Sequence, residues 1–369
     1  MAWLVLKDGK AFPGEEFGSW PEKDGTVSGE VVFNTAMSGA QEMITDLVYA
    51  GQILTFTQPQ IGNSGWRWGA GEAGKVLLKG LILRELATGA GASGTDGSLE
   101  DFCHKQKIPG LKAVDTRALA RYLRQKGTQP GVLVRDLVVG QNFWAAAAPA
   151  GSRHTPHLVY QATTAEGYLI PGAGPGVAVL DLGVKRSLLR CLRQRGFCLH
   201  VFPAQTAAAE IMEIKPQGLV VSSGPGDPAG LPEIGAELRK LSGRLPILGI
   251  GLGHQLLARA AGGETYKLPF GHRGGNYPVQ NLVSGKVLIT AQNHAYAVRA
   301  ESLLGTGFVM WASNLNDGTV EGLRHTEAPI LTVQYQPEAA PGPAVHDGIF
   351  AWFAAAVEGR LDHAERELA

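Results

Sequence analysis

Residues 246–256, PILGIGLGHQL, have the layout of a nucleophile elbow. An apolar run from Leu245 to Ile250 enters a glycine-framed turn, and a helix-like stretch follows from His254 to Ala261. In a G-x-Nu-x-G elbow the middle residue carries the attacking side chain. Here that residue is Gly251, which has none. A second stretch, VQYQPEA at 333–339, closes an apolar run and breaks at Pro337. In an extended segment Gln336 and Glu338 point to the same side. Glu338 has the chemistry to orient a base at 336, but a glutamine cannot take up a proton. A cysteine hydrolase needs a titratable base within hydrogen-bond reach of its sulfur. On these residues alone, Gln336 and Glu338 read as ordinary loop residues.

Other stretches offer weaker chemistry. GPGDP at 224–228 can turn backbone N–H groups toward an anion, or it is a plain strand-to-helix turn with Asp227 as a cap. GHRGGNYPV at 271–279 and QNHAYAV at 292–298 read as polar, glycine-bearing loops. Their His272 and His294 are acid–base candidates by type, although loop histidines commonly serve as hydrogen-bond donors. The three cysteines, Cys103, Cys191 and Cys198, form neither a metal spacing nor a disulfide framework, and none lies on the elbow.

The elements that must position these groups fall into two regions. Up to about residue 140 the pattern is β-rich with a helical end. Two short strands flank an Asp8-Gly9 turn, and helical spacing appears at 98–107 and 116–126, with Asp115 or Thr116 as a cap. From Val177 short apolar strands alternate with helices, which predicts an open, mostly parallel sheet covered on both faces. Asp181, GPGDP and the elbow fall at strand ends, where such sheets bind ligands. A small-residue, Pro- and Gly-rich stretch separates the regions. The expected division is 1–150 for a β-rich α+β domain, 151–172 for a linker and 173–369 for an α/β domain. With 369 residues, 44% apolar and 18% charged, the chain can bury ordinary cores. Its 33 basic and 33 acidic side chains balance, which argues against nucleic acid or a membrane surface as the main partner. No apolar run reaches membrane-spanning length, and MAWLVLKDGK does not read as a signal peptide. A reducing, cytoplasmic location is expected.

Taken in order, FNTAMSGAQEMITD, DLGVKRSLL, SSGPGDP, LGIGLGHQLLARAAGG, FGHRGGNYPV, AQNHAYAV and DGTVEGLRHTEAPILTVQYQPEAAPGP resemble the small subunit of carbamoyl-phosphate synthetase. The resemblance spans residues 2–357. It implies an N-terminal domain that docks on a large subunit, followed by a class I glutamine amidotransferase domain. ATP and Mg would be used only on that large subunit; no cofactor or metal is expected in this chain. The family's triad is a cysteine on the elbow, a histidine in a Y-H-P-E stretch and a glutamate. Those positions hold Gly251, Gln336 and Glu338 here, so only the glutamate matches. The resemblance further implies substrate contacts at Gly224, Gly226, Leu252, Gln255 and Asn293, which this chain keeps. It departs at Val48, where the family's T-D-P-S-Y has a serine, and at Ala295 and Tyr296, where the family reads G-F. These matches and departures lead to the expectation of a small-subunit partner of structural or regulatory kind, without glutaminase chemistry of its own. The alternative is a redirected pocket that acts on, or senses, glutamine or a related amide, with Glu338, His294, His272 or Tyr296 as its polar groups.

Overall fold

The computed structural model describes residues 1–22, 25–88, 95–146, 157–342 and 346–360. Its contacts divide into two units, Met1–Arg153 with Pro269–Arg273, and His154–Leu268 with Gly274–Ala369. Residues 147–156, where the Ala- and Pro-rich break was expected, lie outside the described residues.

The first unit holds strands β1 (Ala2–Leu6), β2 (Ala11–Gly18), β3 (Val27–Asn34), β4 (Gln52–Phe56), β5 (Gln60–Ile61), β6 (Gly80–Ile82), β7 (Glu85–Leu86), β8 (Pro109–Lys112) and β9 (Gln129–Val134). Seven of them close into a barrel in the order β1-β2-β8-β6-β4-β3-β9, while β5 and β7 pair separately. Closure removes exposed sheet edges. Its helices are α1 (Ala40–Thr45), α2 (Leu99–Lys105), α3 (Thr116–Lys126) and α4 (Leu137–Ala146). Ser98 and Asp101 form a reciprocal capping box that starts α2, and Asp115 caps α3 by accepting from the Ala118 N–H at 2.9 Å. α3 lays Leu119 and Leu123 on the core of Leu4, Leu6, Val31 and Ile53.

The second unit starts with α5 (His157–Ala162), then β10 (Tyr168–Ile170), β11 (Gly176–Asp181), α6 (Arg186–Gln194), β12 (Cys198–Pro203), α7 (Ala208–Glu213), β13 (Gly218–Val221) and α8 (Pro232–Leu241). It continues with β14 (Ile247–Ile250), α9 (Leu252–Ala260), β15 (Thr265–Asn281), β16 (Val287–Val298), β17 (Phe308–Asn314), β18 (Val320–His325), β19 (Ile330–Val333) and α10 (Asp347–Val357). One ten-stranded sheet runs β10-β12-β11-β13-β14-β19-β18-β17-β15-β16. Strands β12, β11, β13, β14 and β19 are mutually parallel, and β18 and β17 continue antiparallel. The inner parallel strands β11, β13, β14 and β19 are almost wholly buried and mostly apolar, as expected when helices cover both faces, while the outer strand β12 is half-buried. One face packs on α6 and α10 through Leu188, Leu192, Phe350 and Phe353. The other packs on α8 and α9 through Ile234, Leu238, Leu256 and Leu257.

Two readings of the sequence change here. GHRGGNYPV and QNHAYAV are not loops but parts of the long strands β15 and β16. Their polar side chains hid the strands, because His272, Arg273, Gln292, Asn293 and His294 are buried rather than solvated. The helix after the elbow also begins earlier than expected, at Leu252, directly after Gly251.

Phe353 is fully buried and meets Phe197 edge-on, with ring centroids 5.8 Å apart. Phe353→Ala is expected to lower stability by about 3–5 kcal/mol, read as a fall in the urea midpoint with an unchanged slope.

Candidate functional site

Four neighbouring parallel strands deliver the site from their C-terminal ends, where open α/β sheets place ligands. β11 ends at Asp181, β13 runs into Ser222–Gly226, β14 into Gly251, and β19 into Gln334–Glu338. Asp181 fixes the first of these turns, its Oδ1 accepting from the N–H groups of Gly183 at 2.8 Å and Val184 at 2.7 Å.

The elbow is built by close packing. Registers Gly249↔Thr332 and Ile250↔Val333 lock β14 to β19, and the Gly251 N–H donates to the Val333 carbonyl at 2.9 Å. A Cβ on Gly253 would lie 2.2 Å from the Val221 carbonyl oxygen, so the first turn of α9 sits on β13 only because residue 253 has no side chain. The chain therefore turns sharply at Gly251, with φ +57° and ψ −109°. A side chain in that region is strained by about 1–3 kcal/mol. A Cβ at 251 would also stand 3.1 Å from Ser223 Cβ, which would have to give by a few tenths of an ångström, and 3.9 Å from the Gln334 carbonyl. The turn is thus an elbow in position and backbone, with no reactive atom on it.

The 334–338 segment is entirely buried. The Gln336 N–H donates to the Ala291 carbonyl at 2.9 Å, which ties the segment to β16. Glu338 accepts an ion pair from Lys185, Nζ to Oε1 at 2.9 Å, with both side chains 1% exposed. Lys185 is the N-cap residue of α6, and its amine also donates to the Ala340 carbonyl. Glu338 Oε2 is buried without a partner among the described residues. Sequence reasoning placed Glu338 but missed Lys185. In DLGVKRSLL that lysine stands beside Arg186 at the start of a basic helix and reads as a surface charge.

Around the elbow, Gln255 spends its amide on two acceptors, the Tyr296 carbonyl at 2.7 Å and Gln334 Oε1 at 2.9 Å. The Gln334 Nε2 is left buried and unpartnered among the described residues. This brings together three stretches that the sequence separates: Gln255 on α9, Tyr296 on β16 and Gln334 after β19. Leu252 and Asn293 are buried in the same unit, and Ala295, Gly224 and Gly226 lie there as well. His294 Nδ1 pairs with the Tyr296 carbonyl at 2.8 Å. Val48 and His272 belong to the first unit. Val48 is buried in the short turn Leu47–Tyr49, its N–H donating to Asp46 Oδ1 at 2.9 Å. Asp227 caps a short 3₁₀ turn, accepting from the Ala229 N–H at 2.9 Å.

Among the described residues, neither a thiol nor His254 supplies a nucleophile or base at the turn. Burial pushes the Cys103 thiol up to about 12 in the first unit and the Cys191 thiol, inside α6, up to about 11. Cys198 opens β12. Thiols held that far toward the neutral form are poor nucleophiles. His254, in the first turn of α9, is fully buried and lowered to about 3 by desolvation. Its Nδ1 is hydrogen-bonded to the Thr332 hydroxyl at 2.7 Å, and that hydroxyl also lies 3.3 Å from the Leu323 carbonyl. A neutral histidine anchored under the helix is a structural group rather than a base.

Two family models and several known proteins match this chain. Residues 4–133 match the family model for the carbamoyl-phosphate synthase small chain, CPSase domain, and residues 178–356 match class-I glutamine amidotransferase. The chain is 43% identical over 357 residues to a carbamoyl phosphate synthase small chain from Listeria monocytogenes, covering 97% of both chains. It is 42% identical over 348 residues to a carbamoyl phosphate synthase pyrimidine-specific small chain from Lactiplantibacillus plantarum, covering 94% of this chain and 93% of that one. A small chain from Bacillus caldolyticus is 41% identical over 367 residues, covering 98% and 99%.

Lys185→Met leaves Glu338 as an uncompensated buried charge and is expected to cost about 3–5 kcal/mol, most of it recovered in Lys185→Met/Glu338→Gln; paired denaturation curves measure both. His254 has a folded pKa near 3 against an ordinary value of 6.5, so on acidification the unfolded chain takes up a proton that the native state refuses. Its contribution is complete above about pH 6.5 and falls by about 1.4 kcal/mol per pH unit toward pH 3. The His254 ring signals in NMR are expected to stay neutral to about pH 4 while exposed histidines titrate.

Proposed function

This chain belongs to the carbamoyl-phosphate synthase small-chain family, and on that premise we propose that it serves as a small-chain partner that does not hydrolyse glutamine. Glutaminase chemistry in the amidotransferase layout needs a thiolate on the elbow to attack the amide carbon and a base to take the thiol proton. The observation that carries the reading is the turn at Gly251. Its backbone is held in the elbow conformation by β14, β19 and Gly253, yet it carries no side chain, and the resemblance assigns the base position to Gln336. A carboxamide cannot accept that proton. Loss of a nucleophile from such a unit costs on the order of 10⁶-fold in turnover, and loss of the base as well leaves no route to a thioester. The retained scaffold then has a structural or regulatory task on a large chain, which would take free ammonia and use ATP and Mg to make carbamoyl phosphate for arginine and pyrimidine synthesis. Three free cysteines suit a cytoplasmic setting. None of the described helices is long and apolar enough to cross a membrane.

One observation favours a second reading, in which the pocket binds glutamine or a related amide without cleaving it. Gln255 is kept and fixed by two hydrogen bonds, and the Gln334 amide beside it is buried with donors to spare. Such a group gains from a ligand acceptor. Micromolar glutamine binding in calorimetry without turnover would establish this reading, and no heat at millimolar glutamine would remove it.

The main test is glutamate release from glutamine by the purified chain, alone and with the large chain of the same organism. Release at the blank rate is expected in both; sustained release overturns the proposal. Gly251→Cys/Gln336→His is expected to gain slow, iodoacetamide-sensitive release, while neither single variant does. The gain stays small because Ala295 and Tyr296 stand where the family reads G-F.

A further inference from the structure

α3 is sharply two-faced. Leu119 and Leu123 are fully buried, while Arg117, Arg121, Arg124 and Lys126 are exposed. At 100° per residue, the three arginines fall within about 60° of one another and form a single stripe. The helix, TRALARYLRQK, contains no aspartate or glutamate. None of the four cations is ion-paired with a described residue; Arg124 only overlies the Phe270 ring, 5.9 Å from its centroid. Helix electrostatics accounts for part of this pattern. Arg124 and Lys126 lie in the last turn, where the macrodipole favours cations. Arg117 lies in the first turn, where it is disfavoured, and Arg117 and Arg121 are a like-charged i,i+4 pair, which also weakens the helix. The front of the stripe therefore works against the stability of its own helix. It also stands out in a chain whose 33 cations and 33 anions cancel.

We propose that this stripe is a docking surface for an acidic face of a large protein chain. The inference rests on the small-chain reading above and adds where, and by what chemistry, the first unit engages its partner. Charge complementarity selects the occupant: an unpaired basic stripe on a neutral protein attracts an acidic surface and steers its approach. Guanidinium groups suit it, since each can grip a carboxylate with two parallel hydrogen bonds. The apolar face of α3 is already spent on the barrel core, so the exposed charges are what the helix has to offer a partner.

The test is surface-based binding kinetics of the full chain against the purified large chain of the same organism. Arg117→Glu/Arg121→Glu is expected to weaken binding at least tenfold at low salt, chiefly through slower association. Wild-type affinity is expected to fall steeply between about 50 and about 500 mM salt, and the variant's much less. Arg117→Lys/Arg121→Lys keeps the charge and should retain most of the affinity. Folding is separated by the melting temperature, which the glutamate variant should hold or raise because an acid now faces the helix N-terminus. Wild-type binding equalled by the glutamate variant overturns the stripe alone. If wild type binds no large chain, the small-chain reading falls with it. If the variant loses binding to RNA or to anionic vesicles but binds the large chain like wild type, the stripe serves another class of partner and the proposal fails.

Discussion

The first turn of α9 lies so close on β13 that residue 253 can carry no side chain. That approach sets the direction in which the chain must leave β14, and Gly251 takes up the turn with φ +57°. The four strand ends around it inherit their positions from the same packing: β19 is bonded to β14 residue by residue, and the Gly253 N–H donates to the Ser222 carbonyl of the β13 loop at 3.1 Å. An elbow of this kind belongs to the sheet and helix rather than to the residue at its tip. That is why it persists with no nucleophile on it. A glycine at the tip relieves the strain that a side chain would bear there.

A second constraint keeps Glu338 in place. Glu338 sits in a fully buried ion pair with Lys185, and the same amine reaches the Ala340 carbonyl. Removing either partner strands a charge in a low-dielectric interior, which is far more costly than the pair is worth as a pair. Retention of Glu338 therefore needs no catalytic explanation. The residue is held by Lys185 whether or not a histidine stands at 336.

Between these two constraints lies a set of buried amides. Gln255, Gln334 and Gln292 link α9, the 334–338 segment, β16 and β18, the last through Gln292 Nε2 donating to Glu321 at 2.8 Å. Apolar packing alone does not specify which polar strand lies beside which; satisfied amide and carboxylate pairs do so at a cost in desolvation. The chemistry of the site is then decided by which single groups stand at its few open positions.

The alternation of strands and helices, the place of the elbow, and the lack of a thiol at Gly251 and of a base at Gln336 are all legible in the amino-acid sequence. Those features are local: apolar periodicity, glycine placement and residue identity are read within a dozen neighbouring positions. That GHRGGNYPV and QNHAYAV are strands is not legible there, because a strand whose polar side chains are buried lacks the apolar signal by which strands are recognised. Nor is the Lys185–Glu338 pair, or the grouping of Pro269–Arg273 with the first unit. Each of these joins segments far apart in the chain, and long-range pairing leaves no mark on local spacing. They are settled in three dimensions, where burial forces charges and amides from distant segments to find one another.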